Sequence, residues 1–105
     1  MFFKEDIQQR IKHDFNDSAD KAIDILGNAI LKTDYLKTDR IIRCIVFLAN
    51  GDLNKLKKFI DNAIIDTRDV MLWAEYEEQE GDFNFKRIRN FNNTFDNAEL
   101  LHGSE

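Results

Sequence analysis

The side chains that could act as nucleophiles or metal ligands are few in this sequence and lie far apart. Cys44 stands inside the apolar run IIRCIVFL, away from the charged, accessible surroundings that make a thiol reactive. His13 and His102 lie near opposite ends of the chain, and neither has another histidine or cysteine at zinc-site spacing. We therefore expect Cys44 to be a small buried apolar residue, and we predict no metal ion and no other cofactor.

Ser18 and His13 are the one pair in the sequence that suggests a hydrolase. No GxSxG turn surrounds Ser18, and its place before an apolar helical stripe is typical of a helix cap. The sequence also contains no glycine-rich phosphate loop. In the absence of a catalytic constellation, we predict that the protein is not an enzyme.

The strongest surface feature of the sequence is a run of five acids within eight residues that contains no base. We predict that a partner contacts these acids and the tyrosine among them: Glu75, Tyr76, Glu77, Glu78, Glu80 and Asp82. Most of them come near a predicted helix C-terminus, where the helix dipole and neighbouring like charges disfavour negative charge. Residues that go against such local preferences often belong to a functional site. A basic partner would be complementary to these acids. The alternative is a solvated face whose charge is offset by Lys86, Arg87 and Arg89.

Basic and aromatic residues alternate in the stretch that follows, FNFKRIRNF at 83–91. Such interleaving suits single-stranded nucleic acid, whose bases stack on aromatic side chains. The stretch lacks the signature of an RNA-recognition domain, and the chain's net charge of −5 repels phosphate backbones. A small helical protein that associates with RNA or single-stranded nucleic acid through Lys86–Arg89 is therefore the alternative function.

Length and composition predict a single domain over residues 1–105 that buries a core without disulfides. A lone cysteine cannot form an internal disulfide, which fits the reducing cytoplasm. The opening MFFKEDIQQR lacks a secretory signal pattern, and the longest wholly apolar run, 44–49, is too short to cross a bilayer. These observations predict a cytoplasmic protein that does not engage a membrane.

The fold that must position these residues is predicted to be all-α: a compact bundle of about five or more short helices. Apolar residues recur at three- and four-residue steps over 3–15, over 19–30 and over three successive stretches within 39–78. Gly51-Asp52 and Asp66 mark the two joints within 39–78. Glycine permits the left-handed turn that ends a helix, and aspartate accepts from the first free N–H groups of the next one.

Residues 41–48 are rich in β-branched side chains and match a buried strand as well as a helix; we prefer the helix because no hairpin partner is visible. The helix from Asp66 to Glu78 is apolar almost all round at 70–74, so we expect it to be the most enclosed. After Gly81 the sequence becomes an irregular Phe/Asn-rich segment, with a possible extended piece near 83–87 and one or two helical turns at 94–101.

The stretch RCIVFLANGDLNKLKKFIDNAIIDTRDVMLWAEYE resembles a pattern of small bacterial proteins without an assigned activity. In size, acidity and predicted helical content, the whole chain is similar to immunity proteins of contact-dependent growth inhibition and related polymorphic toxin systems. Such proteins bind a toxin domain, commonly a nuclease, and block it. The resemblance implies a protein-binding function toward a basic toxin nuclease. It assigns no role to individual residues, because immunity proteins are diverse.

Overall fold

The computed structural model describes residues 3–78 and 85–99, and these residues are mostly helical, as the sequence predicts. The α-helices of this part of the chain are α1 (Glu5–Phe15), α2 (Ala19–Lys32), α3 (Asp39–Ala49), α4 (Leu53–Ile65) and α5 (Thr67–Glu75). Short 3-10 turns join α1 to α2 at Asn16–Ser18 and α2 to α3 at Asp34–Leu36. Residues 41–48, for which a strand was the alternative, belong to the helix α3.

The predicted helix from Asp66 to Glu78 is wrong beyond Glu75. There the backbone becomes extended and forms β1 (Tyr76–Glu78), which pairs antiparallel with β2 (Phe85–Arg87). The register places Glu77 directly opposite Lys86. Acids that would oppose the dipole of a longer helix thus lie in a strand, beside a basic strand of opposite charge. The fold is therefore a helical bundle with a small two-stranded sheet at the end of α5.

The helix joints use most of the predicted caps. The Thr38 hydroxyl accepts from the Ile41 N–H, and the side chains of Asp52 and Asp66 accept from the first N–H groups of α4 and α5. Ser18 is the exception, since its hydroxyl donates to the Phe15 carbonyl and does not cap α2. The starts of α3, α4 and α5 are thus fixed by local side-chain hydrogen bonds that can be recognised in the sequence.

Helix α3 lies at the centre of the bundle and packs against α1, α4 and α5. Seven of its eleven residues are buried, including Cys44, whose thiol pKa is raised to about 12 by burial. The expectation that the last helix is the most enclosed is wrong. Only one side of α5 faces α3, so Val70 and Ala74 are buried whereas Trp73 is 46% exposed. The most enclosed helix is the one that has neighbours on several sides.

Segment 88–99 follows β2 and runs back across the bundle. Arg89 bridges to Glu99, and the Asn90 N–H donates to the Ala98 carbonyl at 2.8 Å. A 3-10 turn at Phe95–Asn97 falls within the helical turns expected for 94–101, of which residues 100–101 lie outside the described residues. Phe91 brings this segment into the core, where its ring is 1% exposed and lies 5.3 Å from Phe47 between centroids.

Gly51 is the joint most sensitive to substitution, because its φ is +83° and an added Cβ would lie 2.3 Å from the Asp14 carbonyl oxygen. We expect Gly51→Ala to lower the free energy of unfolding by at least about 2 kcal/mol, from the left-handed backbone and the clash together. Chemical denaturation would measure this loss. The control is Asn50→Gly at the neighbouring left-handed position (φ 49°), which should change stability by no more than about 0.5 kcal/mol. Equal stability of Gly51→Ala and the parent would contradict this account of the joint.

Candidate functional site

The acidic run from Glu75 to Asp82 is not one surface. Glu75 is fully buried, so its prediction as a partner-binding residue is wrong. Tyr76 is half-buried, and Glu77 is exposed on β1. Glu78 is the last residue of β1, whereas Glu80 and Asp82 lie outside the described residues. Of the predicted set, the structure therefore leaves Tyr76 and Glu77 accessible to a partner, as successive residues of β1 whose side chains lie on opposite faces of the sheet.

The buried carboxylate of Glu75 is neutralised by two arginines from different elements. Arg40 of α3 donates through Nε to Oε2 at 3.0 Å and through Nη2 to Oε1, and Arg87 of β2 donates to Oε1 at 3.3 Å. The Phe91 N–H donates to Oε2 at 2.8 Å. Burial by itself would raise the pKa of Glu75. The hydrogen bonds from Arg40 and Phe91 and the charges of both arginines outweigh that effect and hold the pKa below its usual value.

A second carboxylate, Asp6 of α1, acts in the same way. Arg43 is buried and donates to both Asp6 oxygens, Nε at 2.9 Å and Nη2 at 3.0 Å, and also to the Phe91 carbonyl at 3.1 Å. The Phe95 N–H donates to Asp6 at 3.1 Å. Burial opposes ionisation of Asp6, but the bonds from Arg43 and Phe95 lower its pKa overall. Asp6 and Glu75 thus fix segment 88–99 to the helices through its backbone.

Of the basic and aromatic side chains proposed for nucleic-acid binding, those that the structure describes make mostly internal contacts. Arg87 bonds to Glu75, to the Asn90 side chain and to the Arg89 carbonyl. Arg89 bonds to Glu99 and stacks its guanidinium 4.4 Å from the Phe47 ring centroid. Phe91 is in the core, and Lys86 is the exposed base of this group. Stacking with a nucleobase would require these groups to give up contacts that position segment 88–99.

One side of α5 is accessible, although the sequence predicted this helix to be the most enclosed. Three of its residues, spaced i, i+3 and i+4, are exposed or half-buried there, and Tyr76 at the start of β1 lines the same depression as two of them. We call these four residues the α5 face: Asp69, Leu72, Trp73 and Tyr76. Asp69 is exposed, Leu72 and Tyr76 are half-buried, and Trp73 packs edge-on against Phe59 of α4 at a centroid distance of 6.0 Å. The spacing is present in the sequence, but apolar residues on all sides of the helix concealed which side faces solvent.

A shallow depression of about 520 Å³ adjoins this face. Its lining residues come from α3, α5 and their ends: Arg40, Asp66, Arg68, Asp69, Met71, Leu72 and Tyr76. The two arginines are already paired, Arg40 with Glu75 and Arg68 with Asp66. Within the described residues, Asp69 makes no ion pair, so its carboxylate remains available to a cation from outside the chain. The depression can therefore take an aliphatic stem that ends in a positive charge.

A larger depression of about 770 Å³ lies where α1 and α3 begin, above the Arg43–Asp6 pair. Its lining mixes both signs of charge, with Lys4 and Arg40 beside Glu5 and Asp39. Over residues 3–78 and 85–99, no three histidine, cysteine or acidic side chains come together in a way that could hold a metal ion. The same part of the chain contains no helix whose length and apolar character would let it cross a membrane.

The Glu75 network predicts a specific pH dependence of stability. Glu75→Gln should lower the free energy of unfolding at neutral pH by about 2 kcal/mol, because both arginines lose a buried counter-charge while staying partly solvated. The pKa of Glu75 in the folded chain is below its ordinary value of 4.5, so the unfolded chain binds more protons and the stabilisation is lost as pH falls through the folded pKa. Denaturation from neutral pH down to about pH 3 should therefore show a flatter slope for Glu75→Gln than for the parent.

The matched control for that experiment is Glu77→Gln, which changes an exposed carboxylate two residues away. It should alter stability at neutral pH by less than about 0.5 kcal/mol. If the two variants were equally stable and equally pH-dependent, the buried network would not be a major source of stability.

Comparison with known proteins leaves the function to be inferred from this geometry. The sequence matches no protein-family model, and neither the curated proteins nor the solved structures give a match.

Proposed function

We propose that the protein is a protein-binding module that uses the α5 face and the neighbouring strand β1 to bind and block a basic partner. The observation that carries this proposal is Trp73, a tryptophan that is 46% exposed. Tryptophan and tyrosine dominate the residues whose loss most weakens protein interfaces. Here Trp73 lies on α5 next to Leu72, and Tyr76 follows at the start of β1.

The spacing of the α5 face also fits helix-mediated recognition. Asp69, Leu72 and Trp73 lie at i, i+3 and i+4 of α5, as do the first side chains of the helical strip that typically enters a partner's groove. Trp73 is held by its edge contact with Phe59, so little conformational freedom of that ring remains to be lost on binding. A preorganised aromatic anchor of this kind favours tight association.

The charge around the α5 face determines which sign of charge a partner must carry. Asp69 and Glu77 are exposed beside Leu72 and Tyr76, and the chain as a whole carries a net charge of −5. Such a surface attracts basic proteins and speeds their association at low ionic strength. It repels the phosphate backbone of nucleic acids, which a direct nucleic-acid binder would have to attract.

A toxin nuclease is the partner class that best combines these requirements. A nuclease must hold phosphate, so its cleft is basic, and an acidic protein seated there excludes the substrate. In this function the protein is a cytoplasmic immunity protein, in line with the general resemblance of its sequence to that group. Residues Glu77 and Glu78 act as rim charges of the interface, and Tyr76 and Trp73 act as its aromatic anchors.

Removing the exposed indole tests the anchor. We expect Trp73→Ala to weaken binding of a basic nuclease domain by about thirtyfold or more, the loss typical of a central interface residue. Isothermal calorimetry against the toxin domain recovered by pull-down from the native host would measure it. The control is Leu31→Ala, which removes an exposed apolar residue (68%) on α2 and should leave the affinity unchanged. Equal weakening by both variants, or by neither, would count against the α5 face.

Reversing the acids tests electrostatic complementarity. Glu77, Glu78 and Glu80 changed together to Lys should slow association and weaken binding, with the helix content unchanged in far-UV circular dichroism. The matched control changes Asp17, Asp20 and Asp24 together to Lys. These exposed acids lie on and just before α2, and their reversal changes the net charge by the same amount. A specific acidic surface requires the first variant to lose far more protection against the toxin than the second. If both lost equally, only overall charge would matter.

A further inference from the structure

Strand β1 leaves one edge without a partner in the described part of the chain. The sheet contains β1 and β2 alone, and the elements in close contact with β1 are α5 and β2. Beyond β2, the chain continues into the bridge between Arg89 and Glu99. Among the described residues, the outer side of β1 is therefore an open edge of this small sheet.

The backbone pattern shows which groups face that edge. The Glu75 carbonyl accepts from the Ile88 N–H at 2.7 Å, so this residue is turned toward the β2 side. Successive residues of a strand direct their backbone groups to opposite sides, which assigns Glu77 to β2 and both Tyr76 and Glu78 to the outer edge. The Tyr76 N–H is bound to the Leu72 carbonyl. Within residues 3–78 and 85–99, the Tyr76 carbonyl and the Glu78 N–H thus remain for a further strand.

The α5 depression begins at the same edge, because Tyr76 belongs to both. A strand laid along β1 would direct alternate side chains to the face of the sheet that Tyr76 occupies. One of them would reach the depression, where Met71 and Leu72 line the wall and the Asp69 carboxylate has no ion-pair partner among the described residues. Strand addition of this type takes its affinity from main-chain bonds and its specificity from such pockets.

We propose that the outer edge of β1 accepts an extended basic segment of the partner as an added strand, with one lysine or arginine of that segment seated in the depression against Asp69. This inference rests on the proposed function and names its mode of recognition. The glutamates of β1 select the occupant, because like charges directly opposite each other across strands disfavour pairing with a second copy of the same edge. Cross-strand contacts with lysine or arginine are favourable instead.

The experiment uses the full chain labelled with ¹⁵N and a synthetic heptapeptide in which lysine alternates with valine. NMR titration should shift the amide signals of Tyr76, Glu77 and Glu78 together with those of Asp69 and Leu72. A peptide of the same sequence, N-methylated at every second residue to block its edge-facing amides, should bind at least about tenfold more weakly. This comparison leaves the protein unchanged, so a folding defect cannot explain the result.

Two protein variants locate the contacts. Glu78→Pro removes the outward N–H and should weaken the peptide at least about tenfold, with retained circular dichroism as the folding check. Asp69→Asn should weaken it about two- to fivefold, as expected for an exposed ion pair. It should not affect a peptide whose central lysine is replaced by norleucine. Absence of binding, shifts elsewhere on the surface, or equal affinity of the N-methylated peptide would overturn the proposal.

The outcomes separate this inference from the proposed function. If Trp73→Ala abolishes binding of a basic protein while Glu78→Pro has no effect on it, the protein-binding function stands and the added strand is refuted. If the peptide adds to β1 as described but no basic protein is bound or inhibited, the edge is a binding site and the immunity function fails.

Discussion

The carboxylate of Glu75 is the contact on which the arrangement of the second half of the chain depends. It ends α5, binds Arg40 of α3 and Arg87 of β2, and accepts the Phe91 N–H of segment 88–99. Burying a carboxylate costs free energy unless its charge is fully paired. The charge of Glu75 can therefore be buried only while these partners keep this one geometry. The site where α5 turns into β1 is therefore fixed from the inside.

That constraint explains how an irregular segment becomes part of the core. Segment 88–99 has little secondary structure of its own, yet its backbone is bound at Phe91 by Glu75 and Arg43 and at Phe95 by Asp6. The Phe91 ring then fills space beside Phe47. Polar bonds place the backbone, and apolar packing follows from that placement. Removing either carboxylate, Glu75 or Asp6, would thus disturb both the position of the backbone and the apolar packing.

Local rules predicted the helices and their joints, because those are set by residues close in sequence. The stripe in α4, the caps at Asp52 and Asp66 and the turn at Gly51 all follow from spacing and side-chain chemistry. The interior of α3 also followed, once its β-branched residues were assigned to a helix. The end of α5 did not, because pairing with β2 outweighs the helical pattern at Tyr76 and beyond.

The candidate site was harder to predict for a related reason. An acid looks the same in the sequence whether it faces solvent or an arginine thirty-five residues away, as Glu75 faces Arg40. Charge counting therefore placed Glu75 on the surface with Glu77. Likewise, an apolar helix gives no sign of which neighbours it will find, so α5 was expected to be the most enclosed helix. Both errors come from long-range contacts that no local pattern encodes.

The position of Trp73 has a consequence for spectroscopy. It is the single tryptophan of the chain, and it lies on the α5 face in edge contact with Phe59 and with nearly half of its surface in solvent. Its emission wavelength and its quenching by iodide therefore report on this one face, without a label and without a background from other indoles. The intrinsic fluorescence of the native protein is a built-in signal for whatever comes to cover α5.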